Sequence, residues 1–471
     1  MEELSLNIDL QQLITSEQAW HYQVVPFDAD VQNRNISFLV SDLANADIRD
    51  ELELLLGKSV TLKSAPAKDV QRYLNKYYRK GTSEKADTPG FSAGNDNFLM
   101  KLLLEGKALG ASDIHIEIYQ ELCRLRFRID GMLIERYRLK KVDYPALINK
   151  IKIKASLDIS EKRLPQDGRI NVEEGGRKFD IRVSVLPTLY GEKIVMRYLS
   201  NDTTNIDIRR LGFSEKQETE YLRAIKKPNG IILISGPTGS GKTTTLYGTL
   251  KILNEDKRNI VTAEDPIEYT LDGINQVQLK ESIGLTFAAA LRTFLRQDPD
   301  IIMIGEIRDH ETAEMAIRAS LTGHLVLSTI HTNSAWGTID RLVDMGVPPF
   351  LLSATLNMSI AQRLVRKLCP DCKQEEPLPE NETKMVPGVA HHHVAVGCEN
   401  CHYTGYKGRT AIYEMISIDH ELADMIKHRS HGVREALKEK NIKSLAEQAT
   451  ALLKEGVTSL DEIYPLLLES E

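Results

Sequence analysis

One octapeptide, Gly-Pro-Thr-Gly-Ser-Gly-Lys-Thr at 236–243, constrains the fold of this chain more than any other stretch. It matches the pattern G-x-x-x-x-G-K-[ST], which stands between a buried parallel strand and a helix. The apolar run Ile231–Ile234 before it predicts such a strand, and we expect a helix over Lys242–Leu253 after it. The chain therefore has to contain a parallel sheet covered by helices.

The residue types of this loop suit the binding of a phosphate chain. Gly236, Gly239 and Gly241 allow backbone N–H groups to turn inward and form a cradle for anions. The positive end of the following helix faces the same phosphates, Lys242 can reach the β- and γ-phosphates, and the Thr243 hydroxyl can ligate Mg²⁺. The sequence predicts a nucleotide site formed by Gly236, Pro237, Thr238, Gly239, Ser240, Gly241, Lys242, Thr243 and Thr244.

The composition indicates a cytoplasmic protein of several domains. The chain has 471 residues, which suffices for about three domains. Its net charge is −7, so the chain lacks the overall basic character that is typical of nucleic-acid-binding proteins. No apolar run approaches the ~18 residues of a membrane-spanning helix, and the start, Met-Glu-Glu-Leu, lacks the basic and apolar regions of a signal peptide. We therefore expect a cytoplasmic location.

Pattern and composition divide the chain into four parts. Residues 1–79 predict a small α/β module without a catalytic constellation, for which we favour a docking or structural role. Residues 80–95 are rich in Gly, Ser, Thr, Asp and Pro, which predicts a flexible linker. Residues 96–204 predict a PAS-like α+β domain. Residues 205–471 predict strands alternating with helices around a parallel sheet, with a helical part over 406–471.

The first and third parts contain several predicted elements. The predicted helices are Ala46–Leu56, Ala67–Tyr78 and Phe98–Leu109, and the predicted strands are Ile36–Val40, Ile114–Ile118, Arg124–Ile129 and Lys178–Val185. Arginines recur in the third part, and most strand arginines are expected to lie on a solvated face. They are Arg124, Arg126, Arg128, Arg163, Arg169, Arg177, Arg182 and Arg197.

Two acidic segments follow apolar strands downstream of the loop. Glu264 begins Glu-Asp-Pro-Ile-Glu after the strand Ile260–Ala263. A carboxylate at this place can orient an attacking water or bind Mg²⁺, although the segment alone is a weak signal. The strand Ile301–Ile304 is followed by Gly305 and Glu306. Because glycine stands where phosphate-loop ATPases commonly carry aspartate, we expect Glu306 to take the Mg²⁺-side role, through water.

Two histidines flank the predicted strand Leu325–Thr329. A lone histidine is more often a structural hydrogen-bonding residue than a catalyst, and we assign His324 to that class. In an open parallel sheet, ligands bind beyond the carboxyl ends of the strands. His331 lies at that end, so it is a candidate sensor of the γ-phosphate.

Four of the five cysteines have the spacing of metal ligands. Cys369 and Cys372 form one C-x-x-C pair, and Cys398 and Cys401 form another. Zn²⁺ binds four thiolates tetrahedrally, and the filled set indicates a structural rather than a catalytic ion in a reducing compartment. Cys123 is expected to be a buried small residue. His391–His393, between the pairs, are expected in a solvated loop.

The motifs, taken together and in order, resemble a known family. G-P-T-G-S-G-K-T-T-T-L-Y is followed by A-E-D-P-I-E-Y, L-R-Q-D-P-D-I-I-M-I-G-E-I-R-D, T-G-H-L-V-L-S-T-I-H-T-N and the paired C-x-x-C. A-S-D-I-H-I-E at 111–117, R-I-D-G at 128–131, R-L-P-Q-D-G-R at 163–169 and L-P-T-L-Y-G-E-K at 186–193 extend the match. This set resembles the ATPases of type II secretion and type IV pilus assembly. Residues 1–79 look like that family's more variable N-terminal domain.

The resemblance implies a RecA-like core that hydrolyses ATP with Mg²⁺ in a ring, typically a homo-hexamer, peripheral to the inner membrane on its cytoplasmic face. It implies two partners, a polytopic platform protein that adds pilin-like subunits to a fibre and a docking partner for residues 1–79. The paired cysteines favour an assembly or secretion ATPase over the retraction ATPases, which generally lack them.

The resemblance also implies roles for particular residues. Glu264 matches the acidic residue that polarises the attacking water, so it is the candidate general base. Glu306 matches the metal-side glutamate, and His331 matches the histidine-box residue. Arginines of the family reach the phosphates from the domain before the core or stand on the helix before the second acidic strand. The matching residues are Arg182 and Arg197 in the first place, and Arg292 and Arg296 in the second.

Two other functions fit parts of the pattern. A nucleic-acid translocase can share the RecA-like core and the zinc knuckles, but the acidic net charge and the few aromatic residues weigh against it. A nucleotide-dependent scaffold without turnover has no need of the carboxylates Glu264 and Glu306. The sequence therefore favours a motor ATPase that acts without nucleic acid, in type IV pilus assembly or type II secretion.

Overall fold

The structure is a computed structural model that describes residues 10, 13–30, 35–41, 47–78, 97–174, 177–199, 208, 211–379 and 382–468. The chain separates into two compact units. The first unit comprises residues 1–199, 368–375 and 394–407, and the second comprises residues 200–367, 376–393 and 408–471. The predicted linker 80–95 lies outside the described residues, and the predicted division of the chain into four parts stays a prediction.

The first unit begins with a small three-stranded module. Its elements are α1 (Ser16–Tyr22), β1 (Val24–Asp30), β2 (Asn35–Val40), α2 (Asp47–Leu56), β3 (Ser59–Ser64) and α3 (Ala67–Tyr77). The strand order is β1-β2-β3, with β1 antiparallel and β3 parallel to β2. Phe38, Leu52 and Leu74 lie in its buried core, which joins the sheet to both predicted helices.

A six-stranded antiparallel sheet forms the rest of the first unit's scaffold. Its elements are α4 (Asn97–Ala108), β4 (Asp113–Ile118), β5 (Cys123–Ile129), β6 (Met132–Leu139), α5 (Tyr144–Lys154), β7 (Gln166–Glu174), β8 (Arg177–Thr188) and β9 (Gly191–Leu199). The strand order is β6-β5-β4-β9-β8-β7. Residues alternate across β5, so that Leu125 and Phe127 are fully buried against the helices. Cys123 is 1% exposed, as expected of a small buried residue.

The opposite face of this sheet carries an ion-pair network around Glu117. Arg124 Nε lies 3.0 Å and Arg126 Nη2 lies 2.8 Å from the carboxylate oxygens of Glu117, which is 3% exposed. Burial alone would raise the pKa of Glu117, but the two guanidiniums lower it to about 2. The expectation of solvated strand arginines is therefore wrong for these two, because a buried carboxylate on the neighbouring strand requires them.

The second unit is built on a sheet of seven strands. Its elements are α6 (Glu215–Ala224), β10 (Gly230–Ser235), α7 (Lys242–Leu253), β11 (Ile260–Glu264), β12 (Asn275–Gln278), α8 (Phe287–Phe294), β13 (Ile301–Ile304), α9 (His310–Leu321), β14 (Leu325–Ile330), α10 (Gly337–Asp344), α11 (Pro349–Thr355) and β15 (Leu356–Leu368). The sheet order is β12-β11-β13-β14-β10-β15-β18, where β18 is Tyr406–Ser417. The pairs from β12 to β15 are parallel, which confirms the predicted α/β core.

Every residue of β10, β13 and β14 is buried, because helices cover both faces of this sheet. The strands at 231–234, 260–263, 301–304 and 325–329 lie where the apolar runs predict them, with ends that differ by one residue at most. The carboxyl ends of these parallel strands bring the phosphate loop and both acidic segments to one edge of the sheet.

The segment 406–471 departs from its predicted helical character at its start. Tyr406–Ser417 forms β18, the outermost strand of the large sheet, and its β-branched and aromatic residues suit that position. The helices follow only afterwards as α12 (His420–His428), α13 (Val433–Glu439), α14 (Leu445–Lys454) and α15 (Leu460–Leu468). Gly456 has a φ of 64° between the last two helices, where a stop was predicted.

The stretch between the cysteine pairs contains a two-stranded sheet of β16 (Gln374–Pro377) and β17 (His391–Val394). The expected solvated loop is wrong for His391–His393, because these residues form most of β17 and His392 is 8% exposed. Within the described ranges, no helix combines the length and apolar character that crossing a membrane requires.

Candidate functional site

The phosphate loop connects β10 to α7 and depends on glycine at three positions. Gly236, Gly239 and Gly241 have φ values of 149°, 84° and 90°, a region that residues with a side chain rarely adopt. Space is equally restrictive at Gly236, where a Cβ atom would lie 2.5 Å from the backbone oxygen of Gln362. Gly241 directly precedes α7, so the free N–H groups of that helix open into the loop.

Lys242 occupies the centre of the loop. Its ammonium donates hydrogen bonds to the backbone oxygens of Gly236 at 2.7 Å and Pro237 at 3.1 Å. Burial lowers the pKa of Lys242, the nearby Glu306 carboxylate raises it, and the Arg363 guanidinium lowers it further. The charges that act on Lys242 therefore identify Glu306 and Arg363 as its neighbours at the loop.

Gln362 fixes the loop from the adjacent strand β15. Its Nε2 donates to the backbone oxygen of Ser240 at 2.9 Å, and its Oε1 accepts from Thr245 Oγ1 at 2.9 Å. Gln362 is 2% exposed, so both bonds are made in a dry environment. The side chain holds the loop and α7 in one geometry. Sequence reasoning missed this residue, because it lies more than a hundred positions away and has no motif of its own.

Arg363, also on β15, is a second residue that sequence reasoning missed. Its side chain is buried, with Nη2 3.1 Å from the backbone oxygen of Asn333 and Nη1 3.2 Å from that of Gln362. A Cβ at Gly236 would stand 3.2 Å from Nη1, so the guanidinium lies against the loop. It adds a fixed positive charge beside Lys242, where the phosphates of a nucleotide are expected.

Glu264 is the last residue of β11 and is 3% exposed. Its Oε1 accepts hydrogen bonds from Thr262 Oγ1 at 2.6 Å and Gln276 Nε2 at 3.1 Å, and its Oε2 accepts one from the hydroxyl of Tyr247. A carboxylate has about four acceptor positions, so Oε2 keeps one position for a further donor. Tyr247 stands on α7, which links this carboxylate directly to the helix that begins in the phosphate loop.

Glu306 follows β13 and has charged neighbours instead. Arg308 Nη2 lies 2.5 Å from its Oε1, and His331 Nε2 lies 3.4 Å from its Oε2. Among the described residues, this buried Oε2 has no hydrogen-bond donor. The interaction with Glu306 raises the pKa of Arg308, which keeps the guanidinium charged. Glu306 and His331, which were placed separately at strand ends from the sequence, therefore lie next to each other at this edge of the sheet.

Asp309 and His324, which lie between Arg308 and His331 in the sequence, have structural roles. Asp309 caps α9, because its carboxylate accepts from the backbone N–H of Thr312 at 2.8 Å. His324 Nδ1 lies 2.8 Å from the backbone oxygen of Ala319, so this histidine ties the end of α9 to the start of β14. Its predicted structural role agrees with that contact.

Within the described part of the second unit, the contacts of the predicted Arg292 and Arg296 do not lead to the phosphate loop. Arg292 on α8 pairs with Glu311 of α9 at 2.6 Å, and both side chains are more than half exposed. Arg296 Nη1 donates to the backbone oxygen of Arg292 at 2.7 Å. Arg182 and Arg197 belong to the first unit, where they face each other across β8 and β9.

Arg197 has a defined partner within its own sheet. Its Nε lies 2.8 Å from Asp113 Oδ1, and Asp113 is 5% exposed while the Arg197 side chain is 60% exposed. Arg128 Nε lies 3.8 Å from the other oxygen of the same carboxylate. The Arg197 guanidinium is thus held at Nε by a buried carboxylate while its side chain stays 60% exposed, a geometry that suits contact with an anionic group.

The four paired cysteines converge. All their Sγ atoms lie within 4.8 Å of one another, with 3.9 Å between Cys369 and Cys398 and 3.8 Å between Cys372 and Cys401. Four sulfurs that ligate Zn²⁺ at about 2.3 Å in a tetrahedron are separated by about 3.8 Å. The donor set and its spacing therefore fit one zinc ion.

The electrostatic surroundings differ among the four thiols, and those of Cys401 favour a thiolate ligand. Burial raises the pKa of Cys369 and Cys372, which makes the uncharged state of these thiols dominant without a metal. Burial acts the same way on Cys401, but the backbone N–H groups of Cys398 and Gly405 reverse it, and its net pKa is lowered. Those N–H donors supply the outer shell that stabilises a thiolate ligand.

Fold and loop together define a phosphate-loop nucleoside triphosphatase with a parallel-stranded core and a tetracysteine site. A family model described as "Type II/IV secretion system protein" matches residues 93–465, and one described as "MshEN domain" matches residues 2–84. The chain therefore belongs to the type II/IV secretion system protein family, which confirms the resemblance inferred from the motifs.

Several characterised relatives agree with this assignment. The chain is 42% identical to "Type IV pilus assembly ATPase PilB" of Myxococcus xanthus, over 98% of this chain and 87% of that protein. It is 45% identical to "Type II secretion system ATPase E" of Vibrio cholerae, over 80% of this chain and 76% of that protein. It is also 51% identical to "Type II secretion system protein E" of Pectobacterium carotovorum, over 70% of this chain and 67% of that protein.

Solved structures share the fold. The pilus retraction motor PilT with bound ADP superposes with a TM-score of 0.54 at 27% identity, and it covers 79% of this chain and 96% of PilT. The ATPase DotB of Legionella pneumophila reaches a TM-score of 0.61 at 22% identity, over 82% of this chain and 99% of DotB. The second likeness concerns the fold alone.

Proposed function

We propose that the chain is a Mg²⁺-dependent ATPase that works as a homo-hexameric ring motor in type IV pilus biogenesis or type II protein secretion. The observation that carries the proposal is the grouping of Lys242, Glu306 and His331 at one edge of the parallel sheet. Phosphoryl transfer requires positioning and charge compensation rather than covalent chemistry, and this edge offers both. The pilus and secretion ATPases among its relatives support the choice of process.

The phosphate chain is proposed to bind across the loop. The N–H groups of 236–243 and the start of α7 would hold the phosphates. The Lys242 ammonium would give up its hydrogen bonds to the backbone oxygens of Gly236 and Pro237 and contact the γ-phosphate instead. A bound Mg²⁺ would neutralise charge that develops on the transferred group. Thr243 would ligate that ion directly, and Glu306 would hold it through water.

Glu264 is proposed as the general base. Among the described residues, Tyr247 is the one donor to its Oε2, so this oxygen has room to accept a proton from the attacking water. Thr262 and Gln276 fix the other oxygen and so fix the plane of the carboxylate. His331, whose Nε2 lies beside Glu306, is proposed to sense the γ-phosphate, because loss of that phosphate would leave Glu306 as its remaining neighbour.

Arginines are proposed to couple the site to movement. Arg182 and Arg197 of the first unit, together with Arg292 and Arg296 of the second, would contact phosphates when the ring brings the units into their working arrangement. A phosphate that disappears on hydrolysis removes the partner of these cations, so the nucleotide state sets the orientation of the domain that carries them. ATP hydrolysis would then drive a movement of that domain.

The remaining parts have proposed roles in assembly. The tetracysteine site is proposed to hold a structural Zn²⁺. Residues 1–79 would bind a cytoplasmic docking partner, and the ring would pass its strokes to a membrane-embedded platform protein. The motor would therefore work in the cytoplasm, peripheral to the inner membrane through its partners, and without nucleic acid.

The test is ATP turnover by the full chain, recorded together with the mass of the particle. We expect phosphate release by a hexamer in Mg²⁺, none in excess EDTA, and the same rate with and without single-stranded DNA. Turnover that requires DNA and falls steeply with salt would identify a translocase instead. A hexamer without turnover even when its platform partner is supplied would contradict the proposed motor.

A further inference from the structure

The second cysteine pair shapes the turn that follows it, residues 398–405, here called the cysteine turn. The Tyr403 N–H donates to the backbone oxygen of Cys398 at 2.8 Å, and the Thr404 N–H donates to that of Cys401 at 3.1 Å. The Gly405 N–H donates to Cys401 Sγ at 3.2 Å. One cysteine sulfur and two cysteine carbonyl groups thus define the path of the turn.

The cysteine turn contains two successive residues in an unfavourable backbone conformation. His402 and Tyr403 have φ values of 52° and 59°, in the left-handed region that suits glycine. Neither residue is glycine, so this conformation persists only where the surroundings enforce it. The surroundings here are the hydrogen bonds to the cysteine pair.

Tyr403 contacts the N-terminal module of β1–β3 and α1–α3, here residues 13–78. Its ring packs against the buried core of that module. The Tyr403 and Trp20 rings meet edge to face, with centroids 5.9 Å apart and planes inclined by 65°. Trp20 is itself fixed, because its indole N–H donates to the backbone oxygen of Tyr78. The contact therefore joins the Trp20 ring, which a hydrogen bond holds in place, to a turn whose backbone is held by the cysteine pair.

The cysteine segments belong to the same compact unit as the N-terminal module. Residues 368–375 and 394–407 group with residues 1–199, although the chain on either side of these two segments belongs to the other unit.

We propose that the cysteine turn is the surface on which the N-terminal module docks, and that metal bound by the four cysteines keeps this surface in its docking shape. The proposal rests on the zinc site of the proposed function. It gives the tetracysteine site a task beyond local stability, which is to fix a module that the predicted linker 80–95 would otherwise leave free to move.

The physical reason is the coupling of metal binding to local folding. Without a metal, the four sulfurs have only weak contacts with one another. Hydrogen bonds such as those from the Cys369 N–H to the Gly405 backbone oxygen and from Asn400 Nδ2 to Asp371 Oδ2 then have to hold the paired segments together. The cysteine turn then loses the support that holds His402 and Tyr403 in the left-handed region. Relaxation of Tyr403 withdraws its ring from Trp20 and opens the docking surface.

The first experiment reads Trp20 directly. The chain has two tryptophans, so the full-length Trp336→Phe variant leaves Trp20 as the fluorescent reporter. On removal of zinc by a chelator, we expect a red shift of emission, stronger acrylamide quenching and faster proteolysis between residues 79 and 96. Zinc added back should reverse all three. Cys123→Ser, a buried cysteine outside the cluster, is the matched control and should respond to the chelator as the parent does.

The second experiment leaves the metal in place, because chelation could unfold more than the turn. Tyr403→Ala should keep one zinc per chain and the basal ATP turnover, yet show the red shift and the faster proteolysis without chelator. Tyr190→Ala, an exposed tyrosine of the same unit, is the control. Zinc bound with emission and proteolysis unchanged by both chelation and Tyr403→Ala would overturn the docking proposal alone. A protein that holds no zinc would overturn the zinc site with it.

Discussion

Glu264 and Glu306 end neighbouring parallel strands of one sheet, yet their surroundings are opposite in kind. Glu264 is held by neutral donors, Thr262, Gln276 and Tyr247, that leave little freedom to its carboxylate. Glu306 faces charged or chargeable groups on exposed side chains, and its buried Oε2 has no donor within the described residues.

The difference teaches how one site can hold a fixed and an adjustable carboxylate. A general base benefits from a constant orientation, because proton transfer depends on geometry before it depends on basicity. A group on the metal side has to accommodate a cation that arrives with the nucleotide and leaves with the product, and exposed partners such as Arg308 can move for it. The two environments therefore match the two proposed roles.

The largest expected effect comes from removing the flexible cation of the phosphate loop. Lys242→Ala should reduce ATP hydrolysis by about 10³-fold, because no other flexible cation of the loop reaches the γ-phosphate. Nucleotide affinity should fall as well, as measured by titration with a fluorescent ATP analogue. Lys251→Ala, at the far end of the same helix α7, is the control and should keep both properties. Normal hydrolysis by Lys242→Ala would exclude the loop as the site.

Glu306→Gln tests the adjustable side of the comparison. The amide keeps the volume but loses the charge that compensates the metal, so turnover should fall by about 10²-fold. ATP should still bind, with a higher Mg²⁺ concentration needed for half-maximal activity. Glu314→Gln removes an exposed carboxylate from α9, where it pairs with Arg318, and serves as the control. An unchanged Mg²⁺ requirement in Glu306→Gln would reject the metal-side role.

Tyr247→Phe tests the fixed side without touching the carboxylate. Loss of one hydrogen bond to Glu264 should lower kcat by about 5- to 30-fold, the rate equivalent of ~1–2 kcal/mol, with KM for ATP unchanged. Tyr221→Phe is a close control, since Tyr221 is buried and its hydroxyl lies 2.5 Å from Thr249 on the same helix α7. If both variants lower kcat equally, Tyr247 acts through the stability of α7 and not through Glu264.

His331→Ala should have the smallest effect of the series. The imidazole is half exposed, and its Nε2 lies 3.4 Å from Glu306 Oε2. Its loss should therefore cost the active site about the free energy of one hydrogen bond. We expect a decrease in kcat of roughly 3-fold, together with weaker discrimination between ATP and ADP in binding competition. Undiminished discrimination would show that His331 does not sense the γ-phosphate.

The local parts of this account were predictable from the sequence. The loop, α7 and the strands around it follow from apolar runs and glycine spacing, which act over a few residues. The tetracysteine site was predictable for the same reason, since its two pairs each carry their own spacing. Glu264 and Glu306 could be placed at strand ends, and parallel strands then bring them to one edge.

The partners of these residues were not predictable. Gln362 and Arg363 reach the loop from β15, and Tyr247 reaches Glu264 from α7, so each contact depends on the packing of separate elements. The strand β18 was predicted as helix. It pairs with β15, which precedes the whole cysteine segment in the sequence, so the partner strand is distant along the chain. Long-range pairing of this kind leaves no periodic signal in the residues involved.

The most direct test of the central claim, that Glu264 is the base of a Mg²⁺-dependent ATPase, is single-turnover ATP cleavage by the hexamer of Glu264→Gln. The amide oxygen can replace only one of the two carboxylate oxygens, so it keeps either the bonds from Thr262 and Gln276 or the bond from Tyr247. It cannot take a proton from water at neutral pH. We predict ATP bound with the affinity of the parent and cleaved about 10²- to 10⁴-fold more slowly. Cleavage at the parent's rate would contradict the claim and transfer the role to another group at this edge.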